Sequence, residues 1–427
     1  MPDIIKNNVT DKTLSSVYPR FLEAPQFYRD RINTVCTGFI NTFGEKENIR
    51  IFSAPGRTEI GGNHTDHQHG CVLAAGIDLD ILGAAAPNGR KEICFFSEGY
   101  GMEIIDLTFM GVQKEELNTS ASLIRGIAAR LTQKGFTIEG FDVYAISNVL
   151  KGSGLSSSAA FEVLIGTIMN GLFCNNQVSA VEIAQIGQYA ENVYFGKPSG
   201  LMDQMASSVG NIVAIDFLDT EKPIVKKIDF DFAKTGYSLC IIDSGVDHAD
   251  LTDEYAAIPK EMKAVAGCFN KEYLRQVDKG VLIENIVNVR KVVGDRAVLR
   301  ALHFYEDNDK AVVEANQLAE GDFHGFLQTV RKSGYSSYMY LQNVCVTGSI
   351  KHQDVAYALA VCDDLLGERG AFRVHGGGFA GTVQAFVPDD MLSEFKTTAE
   401  KMIGNDCCHV LSIRPVGGVE LTKSNSK

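Results

Sequence analysis

The chain has 427 residues, is 45% hydrophobic and 22% charged, and sets 40 Lys and Arg against 53 Asp and Glu for a formal net charge of −13. That is the balance of a soluble globular protein of about two domains, and it disfavours nucleic acids and anionic membrane surfaces, which need a positive footprint. A polyanionic nucleotide is not excluded, because glycine loops, helix ends and a magnesium ion bind such groups locally.

The opening "MPDIIKNNVTDK" has no apolar run of signal-peptide length, and no later segment has the length and hydrophobicity to span a bilayer. The 10 cysteines are scattered without CxxC spacing, only Cys407 and Cys408 being adjacent. With no export signal they are expected to be free thiols in a cytoplasmic protein.

The elements follow in chain order. "IRIFSAPG" begins as an alternating strand and ends in a turn, and "GCVLAAGIDLDILGAAA" is apolar enough for a paired, buried strand. Between them lies "GRTEIGGNHTDHQHG", Gly56 to Gly70, dense in polar side chains and glycine. His64, Asp66, His67 and His69 are metal-ligand types, but their spacing matches no zinc pattern, which favours a ligand loop or a plain turn. "GFDVYAISNVL" is a further strand, followed by "GSGLSSSAA" and a segment where Val163, Ile165, Ile168 and Leu172 recur at helical spacing. Three small residues ahead of a helix leave backbone N–H groups aimed at one point, which suits phosphate. No Gly-Lys-Ser/Thr is present, so this is no Walker loop, and from these residues alone a phosphate site and a serine-rich turn both stay open.

Ser179 and Glu182 have capping-box spacing at the start of the next helix, which should run to about Val193. Pro198 is placed to open another helix, with Asp203 in or near its first turn. There an aspartate either complements the helix dipole at the surface or is held ionised to orient a proton. Glu191, taken alone, fits a solvated residue equally well. "NIVAIDFLD" returns to strand, and from "YSLCIIDSG" a second unit begins, with long helical stretches between Thr252 and Asn343. Near its end, "VHGGGFAGTVQAF" holds more glycine than a hairpin needs, implying close backbone approach to a ligand or another loop. The mixture is α+β, divided near residues 220–236 into units 1–225 and 226–427.

Taken in order, "APGR…GGNHTD", "GSGLSSSAA", "PSGLMDQ" and "GGGFAG" resemble the galactokinase branch of the GHMP small-molecule kinases. The resemblance extends from "FINTFGE" to "GGVEL", and includes "DSGVDHADLTDEY" ahead of Tyr255. It implies two domains with the active site in the cleft between them, and ATP-dependent phosphorylation of a sugar's anomeric hydroxyl with Mg²⁺. By motif position, Gly152, Ser153, Gly154, Leu155, Ser156, Ser157 and Ser158 would cradle the ATP phosphates. Ser158 and Glu191 would bind the magnesium. Asp203 would face the C1 hydroxyl with Arg57 beside it, and Asn63, His64, Asp66, Gly200 and Tyr255 would contact the rest of the sugar. Sugar and ATP are the only partners implied, with no nucleic acid, membrane or obligate protein partner.

The residue types suit that chemistry. A sugar hydroxyl is a poor nucleophile and needs a carboxylate to orient it and take its proton. Phosphoryl transfer asks for in-line positioning and charge neutralisation.

The chain also departs from the branch, whose opening reads Gly-Arg-x-Asn-x-Ile-Gly-Glu-His-Thr-Asp-Tyr. Here Glu59 replaces the asparagine, Gly61 the isoleucine, Asn63 the glutamate and His67 the tyrosine. The family's glutamate lies near the sugar's 6-hydroxyl, where a carboxylate would repel a C6 acid. Asn63 removes that repulsion, and His67 or His69 would add attraction when protonated. Galacturonate kinases of the superfamily resemble this chain in lacking the glutamate and carrying an Asp-His-Gln, as in "HTDHQ", so galacturonate is the alternative to galactose. Leu150 stands where the family has a proline, and no tryptophan is available to pack on adenine. A non-catalytic sugar sensor is a further alternative, against which the intact "LSSSAA", Arg57 and Asp203 argue.

Overall fold

The computed structural model describes residues 9–150, 154–197, 199–245 and 251–422. Its helices and strands divide between two sheets, as the α+β expectation requires.

In the first half, α1 (Asp11–Val17) and α2 (Pro25–Phe43) precede β1 (Arg50–Gly61), β2 (Cys71–Pro87), β3 (Glu92–Ser97) and β4 (Gly101–Asp106). Next come α3 (Ser120–Gln133), β5 (Phe141–Ser147), α4 (Ser157–Phe173), α5 (Ala180–Tyr189), α6 (Met202–Val209), β6 (Ile212–Asp216) and β7 (Ile224–Ile228). The sheet runs β12-β1-β2-β5-β3-β4, with β6 and β7 branching from β2. The length of β2 permits the branch: Cys71 to Ala75 pair with β6, and Ile81 to Pro87 pair with β5.

Strand alternation sorts these residues onto two buried faces. Ile51, Leu82, Ala84 and Ile146 pack against α1 and α2. Phe52, Ala54, Ala85 and Ala145 pack instead against Val163, Leu164 and Ile168 of α4. Both faces are covered by helix, which is why β2 reads as continuously apolar rather than alternating.

The second half holds β8 (Tyr237–Asp243), α7 (Thr252–Gly267), α8 (Lys279–Val293), α9 (Asp295–Glu320), α10 (Phe323–Ser336), α11 (Asp354–Leu366), β9 (Ala371–His375), β10 (Thr382–Pro388), α12 (Leu392–Met402), β11 (Cys408–Leu411) and β12 (Val419–Glu420). Four antiparallel strands, in the order β11-β8-β10-β9, form the second sheet. The helical expectation for residues 252 to 343 is realised as α7 to α10. β7 still pairs with β6, whereas β8 opens the second sheet, so the chain changes sheets between residues 228 and 237. At its end it returns, with β12 pairing to β1. We propose the unit boundary in that crossing segment, close to the expected 225/226, with the C-terminal strand assigned back to the first unit.

The capping box forms as expected: Ser179 Oγ accepts from Glu182 N at 3.2 Å, and Ser179 N donates to Glu182 Oε2 at 3.1 Å. The helix that follows does not stay α-helical to Val193. It passes at Ala190 into a π-turn, Ala190–Phe195, which swings Glu191 out of the α register. Pro198 lies outside the described residues, and α6 begins at Met202.

Candidate active site

Arg57 and Asp203 meet in the first half of the chain. β1 delivers Arg57, and the first turn of α6 delivers Asp203, where the helix dipole favours a carboxylate. Arg57 Nε donates to Asp203 Oδ1 at 2.6 Å and Nη2 to Oδ2 at 2.8 Å, a bidentate pair. The third guanidinium nitrogen, Nη1, donates to the carbonyl of Gly154. Ser156 Oγ adds a further donation to Asp203 Oδ2 at 2.7 Å. Arg57 is buried, while the Asp203 side chain keeps 31% of its surface. Burial pushes the Asp203 carboxyl upward, but Arg57 and Ser156 outweigh it and hold the group below the usual aspartate value. An accessible, ionised carboxylate results.

The phosphate-loop expectation rests on the same few residues. Gly154 and Ser156 both have left-handed backbone, with φ of 68° and 56°. A serine at a helix N-cap ordinarily accepts an N–H of the first turn. Ser156 caps α4 without doing so, since its hydroxyl is turned to Asp203. The first-turn N–H groups of α4 thus face outward without a side-chain cap, beside Ser157 and the exposed Ser158. Leu155 is buried, and its carbonyl accepts from Arg57 N at 3.0 Å. Gly152 and Ser153 lie outside the described residues.

These groups open onto a cavity of about 810 Å³. Arg57, Asp203, Ser158 and Glu191 line one side, and Tyr255, Gly376 and Gly377 line the other, so both halves of the chain contribute. His64, Asp66 and Gly200 line the same space. The glycine loop approaches both α7 and the loop after β1: Tyr255 Oη donates to the Gly378 carbonyl at 2.7 Å, and the His64 ring Nε2 sits 3.0 Å from the Gly377 carbonyl. Burial, reinforced by His67, lowers the His64 pKa to about 3, so that ring is neutral at physiological pH. His69 stacks on Tyr273 with ring centroids 3.8 Å apart, and burial lowers its pKa too. Of the two rings expected to attract a substrate carboxylate, His69 is absent from this cavity's lining, whereas His67 lines it, with its Nε2 3.9 Å from Asp66 Oδ1.

Asn63 is placed differently from expectation. It is fully buried and absent from the cavity lining. Its Nδ2 donates to Glu59 Oε1 at 2.8 Å and to the Gly376 carbonyl at 2.7 Å, and its Oδ1 accepts from Asn343 Nδ2 at 2.8 Å. The side chain is spent on protein partners because the turn that follows β1, with Gly62 at φ of 83°, directs it toward Glu59 and Gly376. Glu59, by contrast, is on the cavity wall.

Glu191 is held by Gln204 Nε2 at 2.8 Å and Lys197 Nζ at 3.2 Å, with Ser158 on the same wall. Gln204 Nε2 also bonds Glu162 Oε2 at 2.9 Å, and Glu162 Oε1 has no partner among the described residues. Burial, then the neighbouring Glu191, raises the Glu162 pKa well above the ordinary value. An alcohol and a carboxylate beside the anion-seeking end of α4 are hard oxygen donors, a set that fits Mg²⁺. Sequence reasoning missed Gln204, Lys197 and the Ser156–Asp203 bond. The spacing of a motif names neighbours along the chain, not the partner each side chain turns toward.

Two family models match the sequence: "GHMP kinases N terminal domain" over residues 122–211 and "Galactokinase galactose-binding signature" over residues 37–87. Among solved structures, the chain is similar to Lactococcus lactis galactokinase complexed with galactose, at 24% identity, covering 89% of this chain and 97% of that one with a TM-score of 0.76. It is also similar to Methanococcus jannaschii mevalonate kinase, at 15% identity, 86% and 99% coverage and a TM-score of 0.61. Streptococcus pneumoniae phosphomevalonate kinase, in complex with phosphomevalonate and AMPPNP, matches at 11% identity, 84% and 99% coverage and a TM-score of 0.59. The fold is that of the GHMP small-molecule kinases, which take ATP as phosphate donor. Within that class the chain carries the galactokinase signature and is an ATP-dependent sugar kinase. Among the described residues no helix is long and apolar enough to cross a membrane.

Proposed function

We propose that the chain transfers the γ-phosphoryl group of ATP to the anomeric hydroxyl of galactose, in the cavity between its two halves. The observation that carries this reading is the Arg57–Asp203 pair, open to the same space as the uncapped start of α4.

In this mechanism the C1 hydroxyl docks on Asp203, which orients it and takes its proton as the new O–P bond forms and the bond from the γ-phosphorus to the β–γ bridging oxygen breaks, with ADP leaving. Arg57 keeps the carboxylate anionic before reaction and, fixed to the Gly154 carbonyl, ties the base to the phosphate loop. The first-turn N–H groups of α4, with Ser157 and Ser158, receive the phosphates. Ser158 and Glu191 would hold magnesium, which neutralises phosphate charge when bound. His64, Asp66, Gly200 and Tyr255 would bound the sugar. A cytoplasmic setting suits such an ATP-dependent enzyme. Galactose is favoured over galacturonate because a carboxylate, Glu59, remains on the cavity wall.

A coupled ADP-release assay with each sugar tests the proposal. Rapid, Asp203-dependent turnover of galactose is expected. Far faster turnover of galacturonate would overturn the choice of sugar, and no sugar-dependent ADP release would overturn the activity.

A further inference from the structure

We propose that Glu59 is a substrate-recognition residue, its outward carboxylate oxygen accepting a sugar hydroxyl remote from C1 and selecting a neutral hexose over a hexuronate. This rests on the sugar-kinase reading above and deepens it.

Three observations carry the inference. The first is position. Arg57, Thr58 and Glu59 pair in unbroken register with Gly76, Ala75 and Ala74, so Arg57 and Glu59 share one face of β1. They stand about 7 Å apart along the strand. That is roughly the span of a pyranose ring with its substituents, and both residues line the same cavity.

The second is the state of the two carboxylate oxygens. Oε1 accepts from Asn63 Nδ2 and from Arg373 Nη2, both at 2.8 Å. Oε2 has no hydrogen-bond partner among the described residues, and it is not one of the sealed, unpartnered buried atoms. In an otherwise buried side chain, that oxygen is the part that meets the cavity. An ionised carboxylate offers about four acceptor positions, so half its capacity is left for a ligand.

The third is rigidity. Asn63 is locked by Gly376, Asn343 and Ser337. Arg373 is locked by the carbonyls of Ile60 and Val374. Behind them, Gly61 leaves room for Glu314, whose carboxyl a Cβ at position 61 would overlap. Glu59 is therefore presented at a fixed angle, as recognition of a hydroxyl requires. The glutamate and asparagine, exchanged relative to the family pattern, have kept a carboxylate in the site and moved the amide behind it.

The groups facing Glu59 are Arg373 from β9, Arg57 from its own strand, Asp66 from the following loop and Glu314 from α9. His64, His303 and His375 surround them and are held neutral by burial. Burial pushes the Glu59 carboxyl up to about 7, against the pull of Arg373 and Arg57. Above that pH the outward oxygen is an anionic acceptor that repels a substrate carboxylate. Below it, the added proton turns the same oxygen into a donor.

The test is a set of steady-state measurements on wild type and Glu59→Gln, with galactose and galacturonate, on both sides of pH 7. The glutamine oxygen can keep the Asn63 and Arg373 bonds while its NH₂ replaces the outward acceptor. Glu59→Gln is expected to raise KM for galactose about ten-fold with a much smaller change in kcat, and to narrow the preference for galactose. In wild type that preference should weaken as pH falls through about 7, and in Glu59→Gln it should be flat. A folded Glu59→Gln protein with unchanged KM, unchanged preference and the wild-type pH profile would overturn the inference, leaving the kinase reading intact. Wild-type protein that turns over neither sugar would instead overturn the kinase reading.

Discussion

At Asp203, two guanidinium nitrogens and one serine hydroxyl converge on two oxygens, and the consequences are measurable residue by residue. Asp203→Ala removes the proton acceptor and should lower kcat by about 10²- to 10⁴-fold, the usual worth of a positioned general base. Arg57→Ala should also remove most turnover, because the remaining carboxylate loses the partner that offsets its burial. The pKa of Asp203 is depressed, so its base form persists as pH falls past the ordinary aspartate value. The acid limb of kcat should therefore lie below that value in wild type and move upward in Ser156→Ala, as a pH–rate profile will show. Arg57, Asp203, His64 and Gly200 were legible in the sequence because ordered motifs named them, and the cavity brings them together. Asn63 was expected to face the sugar, and its side chain is bonded instead to Glu59, Gly376 and Asn343, outside the cavity lining; Glu59 was seen only as a departure. The difference is one of side-chain direction, since a loop sequence does not disclose which way a glycine-rich turn rolls its neighbours.

Among the elements, α4, α5 and β1 do most to position the chemistry. α4 forgoes its side-chain cap so that Ser156 can reach Asp203, a local loss that leaves its N-terminus receptive to an anion. α5 shows the ordinary alternative. Its Ser179–Glu182 box is complete and neither residue lines the cavity, so Ser179→Ala should cost about 1 kcal/mol in denaturant unfolding and leave KM unaltered. The glycine loop after β9 is less forgiving. Gly378 has φ of 80°, and a Cβ there would overlap the Asn343 carbonyl. Gly378→Ala should therefore destabilise the protein and raise KM for sugar, through Tyr255 and the displaced loop. The helices, strands and capping box were readable from periodicity and spacing. The π-turn at Ala190 was not, because a single inserted residue leaves no mark on an apolar pattern.

For the molecule as a whole, Asp80 ties the two ends of the chain to the first sheet. Its carboxylate accepts from Tyr18 Oη at 2.6 Å and pairs with Arg31 at 2.6 Å and Arg414 at 3.1 Å, with Ser53 alongside. Burial would raise its pKa, yet the two arginines, Ser53 and Tyr18 lower it overall. A lowered folded-state pKa adds stability above the unfolded value and loses it as pH falls through the folded one. Acid unfolding should thus be steep below the ordinary aspartate range. Arg414→Met, which strands part of a buried charge, should cost about 3 kcal/mol at neutral pH. The α+β plan was visible in the order of strands and helices. The return of β12 to β1 was not, since "GGVEL" is too short to declare a pairing partner hundreds of residues earlier in the chain.

The most direct test of the account is a crystal structure of the ternary complex with galactose and a non-hydrolysable ATP analogue. The C1 oxygen should lie within hydrogen-bond distance of the Asp203 carboxylate and face the γ-phosphoryl group, which should rest at the start of α4. A hexose bound with C1 turned away from Asp203, or a triphosphate seated elsewhere, would contradict it.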